Sequence, residues 1–260
     1  MRIPLYQIDA FADRLFEGNP AAVCPLSAWL DDTVMQAIAG ENNLAETAFF
    51  VQSAPDEAEL RWFTPRAEVD LCGHATLASA HVWFEHLRHA GPEVTFHTRS
   101  GALRVSRAER GLRMDFPVVA TAPCETPAEL VTALGARPDH LLQGMDLIAV
   151  FDDARQIRAL APDFRSMAGL DTRGIVATAP GDDCDFVSRC FYPRLGVDED
   201  PVTGSAHCAL APYWARRLGR DRLHARQPSR RGGAMHCQVQ DGRVLLEGQA
   251  VDYLVGEIVL

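Results

Sequence analysis

RWFTPRAEVDLCGHATLASAHVWF, residues 61–84, recurs as RCFYPRLGVDEDPVTGSAHCALAPYW, residues 189–214. Arg61, Phe63, Pro65, Arg66, Val69 and Asp70 align with Arg189, Phe191, Pro193, Arg194, Val197 and Asp198. Glu199-Asp200-Pro201 reads as an insertion in the second copy, after which Gly73, Ala75 and Ala78 align with Gly204, Ala206 and Ala209. A match that resumes in order across a gap marks a duplicated unit. In each copy a strand-like run leads through a Pro-Arg turn and an acidic residue to a glycine that opens a helix. The helices, Ala75 to Phe84 and Ala206 to Trp214, are apolar on nearly every face, which predicts burial. A helix start leaves N–H groups unsatisfied and favours anions. Two such starts facing each other would form a small polar cleft between two lobes.

Working outward, the N-terminus reads as a strand, Ile3 to Ala10, followed by a turn at Glu17-Gly18-Asn19-Pro20 and a short strand, Ala21 to Pro25. A helix is predicted over Asp31 to Glu41, ended by Asn42-Asn43. Thr47 to Val51 then begins a strand, with Glu46 at its mouth. Gly174 to Ala179 holds the same place in the second half. Three short strands close the first half. Pro117 to Pro127, with three prolines, reads as a linker, and Arg216 to Arg231, with seven arginines, as a solvated helix end and loop.

The chain has 260 residues, 47% of them apolar, enough for two cores. With 25 basic against 35 acidic residues, the net charge of −10 argues against nucleic acid or an anionic membrane as partner. No run approaches the roughly 18 apolar residues of a transmembrane helix. Seven cysteines without framework spacing read as reduced thiols, hence a cytoplasmic protein. There is no dinucleotide fingerprint, P-loop or Gly-x-Ser-x-Gly. Cys72-x-His74 and His207-Cys208 lack zinc-ribbon or finger spacing, and His81, His86 and His89 form no His-Glu-x-x-His, so no metal is expected.

The halves differ where chemistry would sit. Glu46 beside apolar residues reads either as a desolvated carboxylate with a raised pKa, suited to proton transfer, or as a solvent-facing strand-edge glutamate. His74 reads as a proton relay and substrate donor or as a polar helix-start residue. Asp200 reads as a second acid/base group or as a turn residue before Pro201. Ser205, with the Gly204 N–H, reads as a carboxylate holder or a satisfied polar residue. A thiol at a helix start, Cys72, can have a lowered pKa. A thiol pair across a stereocentre would need a second cysteine, but the other copy has Thr203 before Gly204, which counts against a two-thiol racemase.

The segments at Ile8 to Val23, Asn42 to Phe50, Arg61 to Ala78 and Glu199 to Leu210 resemble, over essentially the whole chain, the phenazine-biosynthesis isomerase (PhzF-like) family. That resemblance implies the diaminopimelate-epimerase-like fold: α/β (α+β), two similar lobes, each a curved, mostly antiparallel sheet wrapped around a central buried helix. The lobes would be residues 1–117, completed by a C-terminal strand at 251–260, and residues 118–250. It further implies a homodimeric isomerase without metal or organic cofactor. Such an enzyme moves a proton between carbons of a small carboxylated, dihydro-hydroxyanthranilate-like substrate. Glu46 would be the acid/base. His74 and Asp200 would contact substrate and shuttle protons, and Gly73, Gly204 and Ser205 would bind it. The rival readings are an amino-acid-type epimerase using Cys72 and a non-catalytic small-anion binding protein.

Overall fold

The computed structural model describes residues 1–260. The chain packs as two units, Met1–Asp115 with Glu247–Leu260, and Phe116–Leu246. No helix is long and apolar enough to cross a membrane.

The first unit runs β1 (Arg2–Ala10), β2 (Asn19–Leu26), α1 (Asp32–Asn42), β3 (Glu46–Ala54), β4 (Glu57–Phe63), β5 (Glu68–Val69), α2 (Gly73–His81), β6 (Glu93–Thr98), β7 (Gly101–Ala108) and β8 (Gly111–Pro117). Its sheet pairs β1–β2 antiparallel, β2–β3 parallel, β3–β4 antiparallel, β4–β6 parallel, then β6–β7 and β7–β8 antiparallel. The apolar stripe of α1 (Met35, Ile38, Ala39) packs on Cys24, Phe49 and Phe63. Asn43 stops α1 in the left-handed conformation, donating its N–H to the Ala39 carbonyl. Helix α2 is buried from His74 to Ala80. Its alanines let it approach β1, β2 and β3 closely. A π-turn, Val82–His86, prolongs it.

The second unit runs β9 (Ala122–Cys124), α3 (Ala128–Leu134), β10 (His140–Gln143), β11 (Leu147–Val150), α4 (Ala154–Ala159), α5 (Phe164–Ala168), β12 (Ile175–Pro180), β13 (Phe186–Tyr192), β14 (Val197–Asp200), α6 (Gly204–Leu218), β15 (Arg222–Gln227), β16 (Gly233–Gln240) and β17 (Arg243–Gly248). The pairing pattern repeats: β10–β11 antiparallel, β11–β12 parallel, β12–β13 antiparallel, β13–β15 parallel and β15–β16 antiparallel. Helices α3, α4 and α5 pack on this sheet through Leu134, Ile157 and Met167. The central helix α6 buries Trp214, which stacks on Phe186 at 5.8 Å and donates its indole N–H to Thr178 Oγ1 at 3.0 Å. The last strand, β18 (Ala250–Val259), belongs to the first unit, where it pairs antiparallel with β1 as β9 pairs with β10.

Three sequence expectations change. The extra residues of the second copy are not Glu199-Asp200-Pro201. Arg61 grips Glu68 with two hydrogen bonds of 2.7 and 2.8 Å, and Arg189 grips Glu199 with two of the same lengths. In the ladders Trp62 faces Val69 and Cys190 faces Asp200. Glu199 is therefore the counterpart of Glu68, and Asp200 of Val69. The insertion lies upstream, where the 3-10 turn Pro193–Leu195 and Gly196 widen the loop. Consistently, Asp70 is exposed while Glu68 is half-buried. The proline-rich stretch 117–127 holds strand β9, whose residues pair with β10. The arginine-rich stretch holds strand β15, in which Leu223, Ala225 and Gln227 are buried and the arginines point outward. The number of arginines masked an alternating pattern.

Candidate active site

The six residues singled out fall into two groups of three. Glu46, Gly73 and His74 lie in the first unit; Asp200, Gly204 and Ser205 lie in the second.

In the first unit Glu46 is the first residue of β3 and His74 the second of α2. His74 Nε2 lies 3.0 Å from Glu46 Oε2, with only 8% and 18% of the two side chains exposed. That oxygen has no well-aligned hydrogen bond, so the contact is an ion pair. Cys72, at the N-cap position, puts its Sγ 3.5 Å from His74 Nδ1. No side chain caps α2, so the N–H groups at its start are not taken by a cap.

The electrostatics reverse one expectation. Burial pushes the Glu46 carboxyl up, but the His74 imidazolium beside it outweighs burial and holds it below its ordinary 4.5. Burial would favour neutral His74; Cys72 and Glu46 oppose this and hold it well above its ordinary 6.5. Cys72 is itself pushed up to about 11, first by burial and then by the Glu46 carboxylate. At neutral pH it is a thiol, so the charge that keeps His74 protonated is that of Glu46. The reading of a helix-start thiolate is thereby corrected: a neighbouring carboxylate and a dry site outweigh the helix start. The site holds a carboxylate, an imidazolium and a thiol, a base and an acid side by side. The three donor atoms lie within 4.8 Å of one another, but a metal ion would have to displace the protons of both His74 and Cys72, which disfavours one there at neutral pH.

In the second unit Thr203 is the N-cap residue of α6, again without a side-chain cap. Its hydroxyl donates to Asp200 Oδ2 at 2.5 Å. Buried Gln227 fixes the loop. It accepts from the Thr203 N–H at 3.0 Å and donates to the Asp200 carbonyl at 2.6 Å. Asp200 and Ser205 are half-buried and Gly204 is buried. His207, weighed as a zinc ligand, is buried inside α6; burial lowers its pKa to about 4, and its Nδ1 lies 2.8 Å from the Thr203 carbonyl. The corresponding Thr76 of α2 donates its hydroxyl to the Cys72 carbonyl at 2.6 Å, so both positions perform the same structural task.

Sequence reading missed Asp146, Gln227 and Tyr192. Arg173 grips Asp146 at 2.8 and 2.6 Å, and the Tyr192 hydroxyl donates to the same carboxylate at 3.3 Å. Asp146 and Ser205 line one small cavity with Met145, Ile148 and Val176. The signal was thin: Arg173 marks a difference between the halves, but its partner lies 27 residues away.

Comparisons with known proteins agree along the whole length. The pattern of the family described as "Phenazine biosynthesis-like protein" matches residues 8–256. A curated protein of Pseudomonas aeruginosa, named an uncharacterized isomerase, is 54% identical over 258 residues, covering 99% of each chain. The crystal structure of a phenazine biosynthesis protein of the PhzF family from Enterococcus faecalis superposes with a TM-score of 0.98 at 45% identity, covering all of both chains. At 23% identity and a TM-score of 0.75, over 99% of each chain, a predicted epimerase of Pseudomonas aeruginosa shares the fold alone. The duplicated sheet-and-helix unit is thus the epimerase-like architecture, and the chain belongs to the phenazine biosynthesis-like (PhzF) family.

Proposed function

We propose that this isomerase moves a proton between carbons of a small carboxylated substrate of the dihydro-hydroxyanthranilate type, with Glu46 as acid/base and without a metal or organic cofactor. The observation that carries this reading is the buried Glu46–His74 pair at 3.0 Å. A desolvated carboxylate takes a proton from a carbon next to an unsaturated group. The electron pair left behind delocalises into that group, and Glu46 returns the proton at another carbon. One proton leaves and one returns, so no oxidant or reductant is consumed. The His74 imidazolium offsets the charge that develops and donates to the substrate's polar groups. Asp200, oriented by Thr203, holds a polar group or relays a proton. Ser205 and the N–H groups at Gly204 and Gly73 hold the substrate carboxylate. The proposed setting is a homodimer in a reducing cytoplasm. Exposed Tyr253, Val255 and Val259 on β18 support a face that a second copy covers, and the seven unpaired cysteines support the compartment.

The experiment is turnover of cyclic and amino-acid-like carboxylic acids in heavy water. Deuterium should enter a C–H position of one of them with wild-type protein and not with Glu46→Gln. Binding without any exchange would identify a small-anion binding protein. Exchange that survives Glu46→Gln but is lost in Cys72→Ser would identify the one-thiol epimerase.

A further inference from the structure

His81 and His86 are five residues apart, about 140° apart around a regular α-helix. The π-turn Val82–His86, closed by the Leu87 N–H donating to the Val82 carbonyl at 3.0 Å, brings the two rings onto one face. On the facing strand the β1–β18 ladder shifts register: Gln7 faces Leu254 but Ile8 faces Asp252, leaving Tyr253 as the extra residue of a bulge. A bulge re-aims its neighbours, and here Asp252 is the neighbour. His81 Nε2 and His86 Nε2 lie 3.1 and 2.9 Å from the same oxygen, Asp252 Oδ1. Two backbone irregularities on separate elements thus converge on one constellation of two imidazoles and a carboxylate.

We propose that His81, His86 and Asp252 form a binding site for a divalent transition-metal ion of the zinc class. Zinc binds imidazole nitrogen at about 2.0–2.1 Å and carboxylate oxygen at about 2.0–2.2 Å, so the ligand atoms of a tetrahedral site stand roughly 3.3–3.5 Å apart. The observed separations need little adjustment, and all three donor atoms lie within 4.8 Å of one another. The ring of Tyr6 lies 4.5 Å from that of His86 and holds it in place. Asp252 is exposed, which leaves room for water or another ligand to complete the coordination. The ion would tie β18, most of whose side chains are exposed, to the end of the buried helix that begins beside His74.

Zinc chloride is titrated calorimetrically into the full chain, and amide hydrogen exchange is followed with and without zinc. One ion per chain should bind, and exchange should slow along β18 and the π-turn. Loss of a partner that merely orients a metal ligand costs about 10- to 100-fold in affinity. His86→Gln and Asp252→Ala should therefore each weaken binding at least tenfold, while Glu46→Gln leaves it intact. Melting without zinc shows whether each variant is folded, and His81→Gln replaces either one that is not. The site is overturned if wild-type protein binds no zinc saturably, if the variants bind as tightly as wild type, or if binding disappears with Glu46→Gln or Cys72→Ser instead.

Discussion

Glu46 and Gly174 hold the same place in the two sheets, each one residue ahead of the partner of a motif phenylalanine: Thr47 faces Phe63, and Ile175 faces Phe191. In the first unit a carboxylate points at a histidine. In the second, a side chain at that place would meet the Tyr192 ring at 2.2 Å, because Tyr192 fills the space and leans on the Arg173–Asp146 pair. The supporting frame did not diverge. Arg61 lies over Phe63 at 5.2 Å and grips Glu68; Arg189 lies over Phe191 at 5.1 Å and grips Glu199. A duplicated fold thus keeps the ion pairs that shape its turns and leaves the strand entrance to a buried carboxylate in one copy and to aromatic packing in the other.

The largest effect that would test this division is on catalysis. Glu46→Gln should lower kcat by about 10²- to 10⁴-fold in a variant that still folds, since a positioned acid/base contributes that much. An active Glu46→Gln enzyme would mean that the two entrances do not differ in the way described. Next come the frame arginines. Arg189 also donates to the Ile157 and Leu160 carbonyls, at 3.2 and 2.8 Å, and is 12% exposed. Breaking a buried pair by removing one partner costs about 3–5 kcal/mol. Arg189→Met should fall at that level in denaturant unfolding and Arg61→Met below it, because Arg61 binds the exposed Asp32 instead of buried carbonyls. Equal losses would deny the asymmetry. Gly174→Ala should cost about 1–3 kcal/mol through overpacking against Tyr192. Truncating the ring in a Gly174→Ala/Tyr192→Ala pair should relieve part of that cost, as a double-mutant cycle reads directly.

A smaller effect lies in the pH dependence of stability. The carboxyl of Glu46 is held below 4.5, so its contribution is present above that pH and fades as pH falls through the folded-state value. His74 is held above 6.5, so its contribution is complete below that pH and fades as pH rises through the folded-state value. Relative to a Glu46→Gln/His74→Gln variant, the stabilisation by the pair should be greatest between 4.5 and 6.5 and decline on both sides. A difference that stays flat in chemical denaturation from well below 4.5 to well above 6.5 would show that the two groups are not coupled. Smallest of all, Cys72→Ser should change kcat little, because Cys72 is a thiol at neutral pH and serine keeps a polar donor there.

The repeat in residues 61–84 and 189–214 determined the duplicated architecture, its two buried helices and the candidate site residues His74 and Asp200, because alternation, helix-start glycines and polar residues beside apolar runs are properties of neighbours in the chain. Alignment by letters alone misplaced the insertion, since Val69-Asp70 resembles Val197-Asp198 while the ion pairs and ladder registers equate Glu68 with Glu199. Only the tertiary structure decided the protonation of the site. Whether Glu46 is raised or lowered depends on one imidazole 3.0 Å away, from a residue 28 positions along the chain. It also decided that Asp252 meets two histidines some 170 residues earlier, across a π-turn and a bulge. Local pattern sets what each segment can become, whereas charges and donor atoms act through space, and their partners are chosen by the register of strands and the phase of a helix.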